Sequence, residues 1–246
     1  MIVLVLTLAL LIGVTLGLLG GGGSILTLPI LTYVAGVGTK SAIASSLFVV
    51  AVTSAVGVVA HARAGRVRWR TGLLFGVAGM LGAFAGGRLA GHLPARALML
   101  GFAAMMVVAA IAMLRGRRAS AGTTVELAVG RVLVIGATVG LVVGTVGAGG
   151  GFIVVPALVL LGGLAMDRAV GTSLLVIAMQ SSAGFLGHLG HAAIDWPLTL
   201  AVTAMAVIGS FVGGNLAGRI PPAQLRRAFG VFVLLMAAIV VAKELG

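Results

Sequence analysis

The chain has 246 residues, of which 61% are hydrophobic and only 8% are charged. A soluble domain carries about a quarter charged residues, so this composition excludes an ordinary water-soluble protein and indicates an integral membrane protein. The formal net charge is +12. Because the basic residues cluster between apolar runs and no face rich in Lys/Arg and aromatics occurs, they are typical of cytoplasmic loops, and we expect no nucleic-acid partner. The chain has no cysteine, which excludes disulfides and thiolate metal sites; we expect no cofactor and no metal.

Ten apolar runs predict helical segments in a hydrocarbon layer about 30 Å thick. In the first half they are 2–19, 25–35, 42–60, 71–90 and 97–114. In the second half they are 128–146, 152–164, 169–187, 198–217 and 228–241. A polar stretch separates the halves, so we divide the chain into a first membrane repeat (1–114), a cytoplasmic linker (115–127) and a second membrane repeat (128–246).

The two halves are copies of one unit, because a single ungapped shift of 127 residues aligns them. The shift aligns two prolines, one histidine and a tryptophan of the first half with their counterparts in the second half, together with most of the glycines. The main pairs are Pro29 with Pro156, His61 with His188, Trp69 with Trp196, Gly13 with Gly140, Gly57 with Gly184 and Gly82 with Gly209. We therefore predict an all-α membrane protein built from two structural repeats, each of about four to five helical segments with a glycine-broken pair at its start.

The distribution of Lys and Arg favours inverted repeats over parallel ones. In a parallel arrangement the 16 basic residues divide almost evenly between the two sides of the membrane. In an inverted arrangement most of them lie on the cytoplasmic side, as the positive-inside rule requires. We predict inverted repeats with both termini outside. The charges do not distinguish broken pairs that span fully from re-entrant hairpins.

Two glycine clusters predict breaks in the membrane helices, since glycine costs about 1 kcal/mol in a helix interior. Broken backbone in a membrane is tolerated where it lines a cavity or meets a ligand, and the helix that follows offers its positive end to an anion. The alternative is a tight helix hairpin in which glycine only allows close packing. The predicted binding residues in these clusters are Gly20, Gly22, Gly23 and Ser24 in the first repeat and Gly147, Gly149, Gly150 and Gly151 in the second.

Glycines at GxxxG spacing predict close helix–helix contacts and no other role. They are the pairs Gly13/Gly17, Gly82/Gly86, Gly140/Gly144 and Gly209/Gly213. The same spacing would also serve a homodimer.

Small polar residues follow each cluster, in the next predicted span. An isolated Ser or Thr in a membrane helix usually bonds its own backbone, but the Gln180 amide needs other partners. We predict that Ser46, Thr172, Ser173, Gln180 and Ser181 contribute to substrate binding.

Two histidines, His61 and His188, end the same spans and are hypothesised to relay protons; interface caps are the alternative. His92 and His191 lie in predicted loops and are assigned no role. The chain's acidic residues lie near linkers or ends, so a carboxylate-based cation pump is not expected.

The doubled pattern G-x-x-x-G-x-x-G-x-G-G-x-x-x-x-x-P, at 13–29 and 140–156, resembles the sulfite exporter TauE/SafE family of bacterial and archaeal membrane transporters. The G-x-x-x-H stretches at 57–61 and 184–188, each followed by a Trp, extend the resemblance over nearly the whole chain. It implies a multi-pass protein of the bacterial or archaeal inner membrane that exports sulfite, sulfoacetate or a related organosulfonate. Ala148 stands where the first repeat has Gly21, and Gly151 stands where it has Ser24. A contact made by the Ser24 side chain therefore has no equivalent in the second repeat.

We predict a secondary exporter of a small sulfur-containing oxyanion, whose partners are that anion and membrane lipid. An inside-negative potential supplies roughly 2.3 kcal/mol per charge per 100 mV to a departing anion. A passive anion channel shares these residue features. An intramembrane hydrolase using Ser24 is a remote alternative, because neither His61 nor His188 has a carboxylate nearby to orient it. We therefore expect that the protein is not an enzyme.

Overall fold

A computed structural model of the protein describes residues 2–19, 22–115, 129–147, 150–160, 164, 166–216 and 222–245. Within these ranges every regular element is a helix, which confirms the predicted all-α fold. Almost all of the predicted linker 115–127, together with the site residues Gly20 and Gly149, lies outside the described residues.

The helices begin and end close to the predicted runs. In the first repeat they are α1 (Ile2–Leu19), a return segment made of a 3₁₀ turn (Gly22–Leu26), α2 (Thr27–Pro29) and a π turn (Ile30–Val34), then α3 (Thr39–Arg63), α4 (Trp69–Ala90) and α5 (Ala95–Arg115). In the second repeat they are α6 (Val129–Val146), α7 (Gly151–Leu160), α8 (Met166–His188), α9 (Trp196–Leu216) and α10 (Pro222–Leu245).

Among the described residues, five helices are long and apolar enough to cross a membrane. These spans are Thr39–Arg63, Trp69–Ala90, Val129–Val146, Arg168–His188 and Trp196–Gly213. Shorter apolar helices cover Val3–Gly17, Ser24–Val34 and Ala95–Ile111. Of the apolar stretch that is long enough to cross a membrane, 67% is buried in α3 and 61% in α8, against at most half in the other three helices. These two helices therefore form the centre of the bundle.

The GxxxG glycines pack helices of different repeats against each other, which confirms their predicted packing role. At seven of the eight an added methyl group would overlap a backbone carbonyl of the partner helix, so only glycine allows this approach; these are Gly13, Gly82, Gly86, Gly140, Gly144, Gly209 and Gly213. Between α1 and α9 the contacts are Gly13 with Ala206, Gly209 with Leu10 and Gly213 with Val14. Between α4 and α6 they are Gly140 with Gly79, Gly82 with Ala137 and Gly86 with Leu141. The two sets occupy equivalent positions, so the first helix of each repeat packs against the fourth helix of the other repeat in the same way.

The equivalent helices α3 and α8 run in opposite directions. A methyl group at Gly57 would lie 3.3 Å from Leu174 Cδ1, and one at Gly184 would lie 3.4 Å from Leu47 Cδ1. Residue numbers therefore fall along α8 as they rise along α3. An inverted arrangement requires this direction for equivalent helices. The orientation of the bundle in the membrane, and the placement of both termini outside, stay predictions.

Candidate functional site

The second glycine break, between α6 and α7, has a conformation that requires glycine. Gly147 and Gly150 have φ angles of 74° and 65°, in the left-handed region that side-chain-bearing residues rarely adopt. The surroundings are also closed, because a methyl group at Gly147 would overlap the side chain of Ile43 and one at Gly150 would press on Val143. Both described edges of the break are therefore closely packed, and the helix ends that flank it are buried.

Both central helices hold the end of α6 at this break. Ser46 Oγ donates a hydrogen bond of 3.2 Å to the carbonyl oxygen of Gly147. His188 Nε2 lies 2.9 Å from the carbonyl oxygen of Gly144 and must donate to it, since a carbonyl only accepts. The predicted residues Ser46, Gly147 and His188 are thus brought together. Gly151 begins α7 directly beyond the break, and the first N–H groups of a helix have no partner within it.

His191, for which no role was predicted, lies beside His188 on the side toward the end of the bundle. Its Nε2 lies 3.2 Å from Nδ1 of His188. Because His188 uses its Nε2 proton for the Gly144 carbonyl, a neutral His188 accepts from His191 at Nδ1. The spacing of three residues between His188 and His191 could have indicated this pairing, because it places both side chains on one face where α8 ends.

Several positive groups surround His191. Burial lowers the pKa of His191 below its usual range, and the charges of Lys40, Arg88 and His92 lower it further. Lys40 also donates a hydrogen bond of 2.7 Å to the carbonyl oxygen of Gly91, which fixes its ammonium group at this end of the bundle. An anion approaching or leaving here meets a favourable potential.

The first break is described from Gly22 onward and differs from the second in its helix geometry. Gly22 and Gly23 begin a 3₁₀ turn that changes to an α turn and then to a π turn, rather than a regular helix. Ser24 lies in this turn and is fully buried. The turn Gly22–Leu26 contacts α7, so the chain segments that follow the two breaks meet each other.

The predicted polar residues of α8 divide into two groups. Thr172 Oγ1 accepts a hydrogen bond of 3.0 Å from the backbone N–H of Arg68, and Ser173 Oγ donates one of 2.8 Å to the carbonyl of Val170. These bonds secure the loop before α4 and the backbone of α8. In contrast, the side-chain polar atoms of Gln180 and Ser181 are buried without a partner in the described part of the chain.

His61 does not share the environment of its equivalent His188. It lies in the last turn of α3, where its Cβ would be 3.2 Å from a methyl group at Gly171. Its buried Nδ1 has no hydrogen-bond partner among the described residues. The proton-relay hypothesis thus has a bonded histidine pair in the second repeat and a single histidine in the first. No cluster of three metal-ligating side chains occurs in the part of the chain that the structure describes.

The sequence is similar to a transporter family model and to probable membrane transporter proteins over nearly its whole length. The family model of the sulfite exporter TauE/SafE matches residues 5–240. A probable membrane transporter protein of Xylella fastidiosa is 34% identical over 94% of this chain and 91% of its own length. The probable membrane transporter protein YdhB of Bacillus subtilis is 27% identical over 89% and 91%, and one from Methanocaldococcus jannaschii is 26% identical over 94% and 96%.

No solved structure matches the chain. The family match nevertheless spans both glycine breaks, the central helices α3 and α8 and the histidine group at the end of α8. The chain therefore belongs to the sulfite exporter TauE/SafE family of membrane transporters.

Proposed function

We propose that the protein is a secondary transporter that exports a small sulfur-containing oxyanion, such as sulfite, sulfoacetate or a related organosulfonate. We propose further that the glycine breaks form its substrate site. The observation that carries this is the second break, where two left-handed glycines separate α6 from α7 and both central helices hold the end of α6. A scaffold gains nothing from such a turn inside an apolar bundle, whereas an anion gains backbone N–H donors.

The charges of the described residues favour an anion bound without a fixed cation. The buried polar side chains in these residues are hydroxyls, one amide and His188, with no Lys, Arg, Asp or Glu among them. Neutral donors bind an oxyanion without the cost of burying an unpaired cation when the site is empty. Release of a bound anion is then easier, as a transport cycle requires.

Two other functions share parts of this arrangement. A passive anion channel would use the same donors but could not move an anion against its gradient. A hydrolase would need Ser24 to have a histidine held by a carboxylate. His188 instead donates to a carbonyl and pairs with His191, and no carboxylate is buried among the described residues. These contacts support a transporter that performs no covalent chemistry.

The experiment is uptake of labelled sulfite into proteoliposomes, comparing two matched glycine variants. Gly150→Ala and Gly65→Ala place the same side chain at nearly the same positive φ, 65° and 67°. Gly65 lies in the loop after α3 with open space around its added methyl, whereas Gly150 forms the break. We expect Gly150→Ala to lower transport at least tenfold and Gly65→Ala to retain it. Equal transport by both variants would overturn the assignment of the site to the break.

A further inference from the structure

Two equivalent serines lie unpaired in the centre of the bundle. Ser54 of α3 and Ser181 of α8 correspond under the shift of 127 residues, and both are fully buried. Neither hydroxyl has a hydrogen-bond partner among the described residues. Buried hydroxyls without a partner are rare in folded proteins, and in a lipid environment water does not compensate for the missing bond. Two of them at equivalent positions need a common explanation.

The serines lie on the faces that α3 and α8 turn toward each other. Ser54 is seven residues after Leu47, and Ser181 is seven residues after Leu174, so each shares a helix face with its leucine. Each of these leucines contacts a glycine of the opposite helix. Both hydroxyls therefore belong to the contact between the central helices, each in the second half of its helix.

Gln180 adds an amide that exists in only one repeat. Its Oε1 and Nε2 are both buried without a partner in the described residues. The equivalent residue, Thr53, is satisfied by a hydrogen bond to the backbone carbonyl of Val49. The amide lies against Gly79 of α4, where an added methyl would overlap it, and the equivalent of Gly79 is Ala206. The glutamine of the second repeat therefore faces a notch in the first repeat, and the symmetry-related pair, Thr53 and Ala206, has neither the amide nor the notch.

We infer that Ser54, Gln180 and Ser181 contact the transported substrate, and that this substrate is a monovalent oxyanion that carries its own hydrogen-bond donor, such as a hydroxyl group. The inference rests on the proposed function and specifies its substrate class. The serines and the amide nitrogen donate to the oxyanion. The amide oxygen only accepts, so an oxyanion without a donor leaves it unsatisfied.

The single charge follows from the surroundings of these side chains. No Lys or Arg is buried among the described residues, so nothing fixed offsets the second charge of a dianion. A monoanion with a hydroxyl matches the donors and the acceptor together. The asymmetric amide also gives the substrate one preferred orientation in an otherwise symmetric pair of helices.

The test compares two monoanions of similar shape, 2-hydroxyethanesulfonate and 1-propanesulfonate, which differ by a hydroxyl in place of a methyl. Binding to the detergent-purified protein is measured by ligand-dependent thermal stabilisation. We expect the hydroxyl compound to bind about tenfold more tightly, the effect of one satisfied buried acceptor. In Gln180→Met, which keeps the shape of the side chain, the preference should vanish while propanesulfonate affinity changes less than threefold.

A matched serine pair provides the control. Ser181→Ala should weaken both sulfonates about fivefold or more. Ser182→Ala should weaken neither, because Ser182 is exposed on the same helix and bonds the carbonyl of Ala178. Equal binding of both sulfonates by the unaltered protein would show that the substrate's hydroxyl does not bond the amide oxygen of Gln180. That result would overturn the inference, while the proposed function would stand. Binding of no anion at all would overturn both.

Discussion

Replacing Gly147 by Ala should destabilise the protein through two separable effects. The first is backbone strain, because alanine at φ 74° costs about 1–2 kcal/mol. The second is steric, because the new methyl would overlap the side chain of Ile43 on α3, and forced overpacking costs about 1–3 kcal/mol. Gly36→Ala is the matched control, since Gly36 has a φ of 71° and nothing within 4 Å of an added methyl.

The assay is equilibrium unfolding in mixed detergent, followed by loss of helicity, for the unaltered protein and four variants. We expect Gly36→Ala to lose about 1–2 kcal/mol of unfolding free energy and Gly147→Ala about 2–5 kcal/mol. Ile43→Ala alone should cost about 2–5 kcal/mol because Ile43 is fully buried, and it should cost less when Gly147 is already Ala, because it removes the γ carbons that the methyl would meet. A double-mutant cycle with Ile43→Ala alone isolates that coupling, expected at about 1–2 kcal/mol.

The reasoning is refuted if Gly147→Ala and Gly36→Ala are destabilised equally and the cycle gives no coupling. The second break would then tolerate a substitution as well as an exposed loop does, and its contact with α3 would not contribute to the free energy of unfolding.

Two further predictions concern packing and pH. Gly140→Ala should cost about 3 kcal/mol of unfolding free energy, because its methyl would overlap the backbone of α4, whereas Gly130→Ala in the same helix meets open space and should stay within about 1 kcal/mol. The lowered pKa of His191 means that the unfolded chain binds a proton before the folded one. Stability should therefore fall as the pH drops through about 6.5 toward the folded pKa, and His191→Gln should flatten that fall; an unchanged slope would show that His191 does not cause it.

The helices were predictable because their signals are local. Apolar runs, glycine clusters and a constant shift of 127 residues define the segments of both repeats within a few residues, as α1 and α9 show. The GxxxG pairs predicted close packing, although not which helices meet. Each of these helices packs against a helix of the other repeat, α1 against α9 and α4 against α6, and no local sequence pattern identifies that partner.

The site was predictable only in part, because its contacts join distant residues. The glycine clusters and His188 were found from their repetition, and the structure brings Gly147, Ser46 and His188 together. The pairing of His188 with His191 depends on how the chain leaves α8. The division of α8 into paired Thr172 and Ser173 and unpaired Gln180 and Ser181 depends on what lies opposite each side chain, which a single sequence does not show.

The proposal that the protein is a secondary exporter of a small sulfur oxyanion is best tested by transport against a gradient. Proteoliposomes loaded with unlabelled sulfite are placed in a trace of labelled sulfite, and the label inside is followed over time. The account predicts transient accumulation of label above its outside concentration, enhanced by an inside-positive potential and competed by 2-hydroxyethanesulfonate. Equilibration without any accumulation, at a rate indifferent to competing anions, would identify a passive channel and contradict the account.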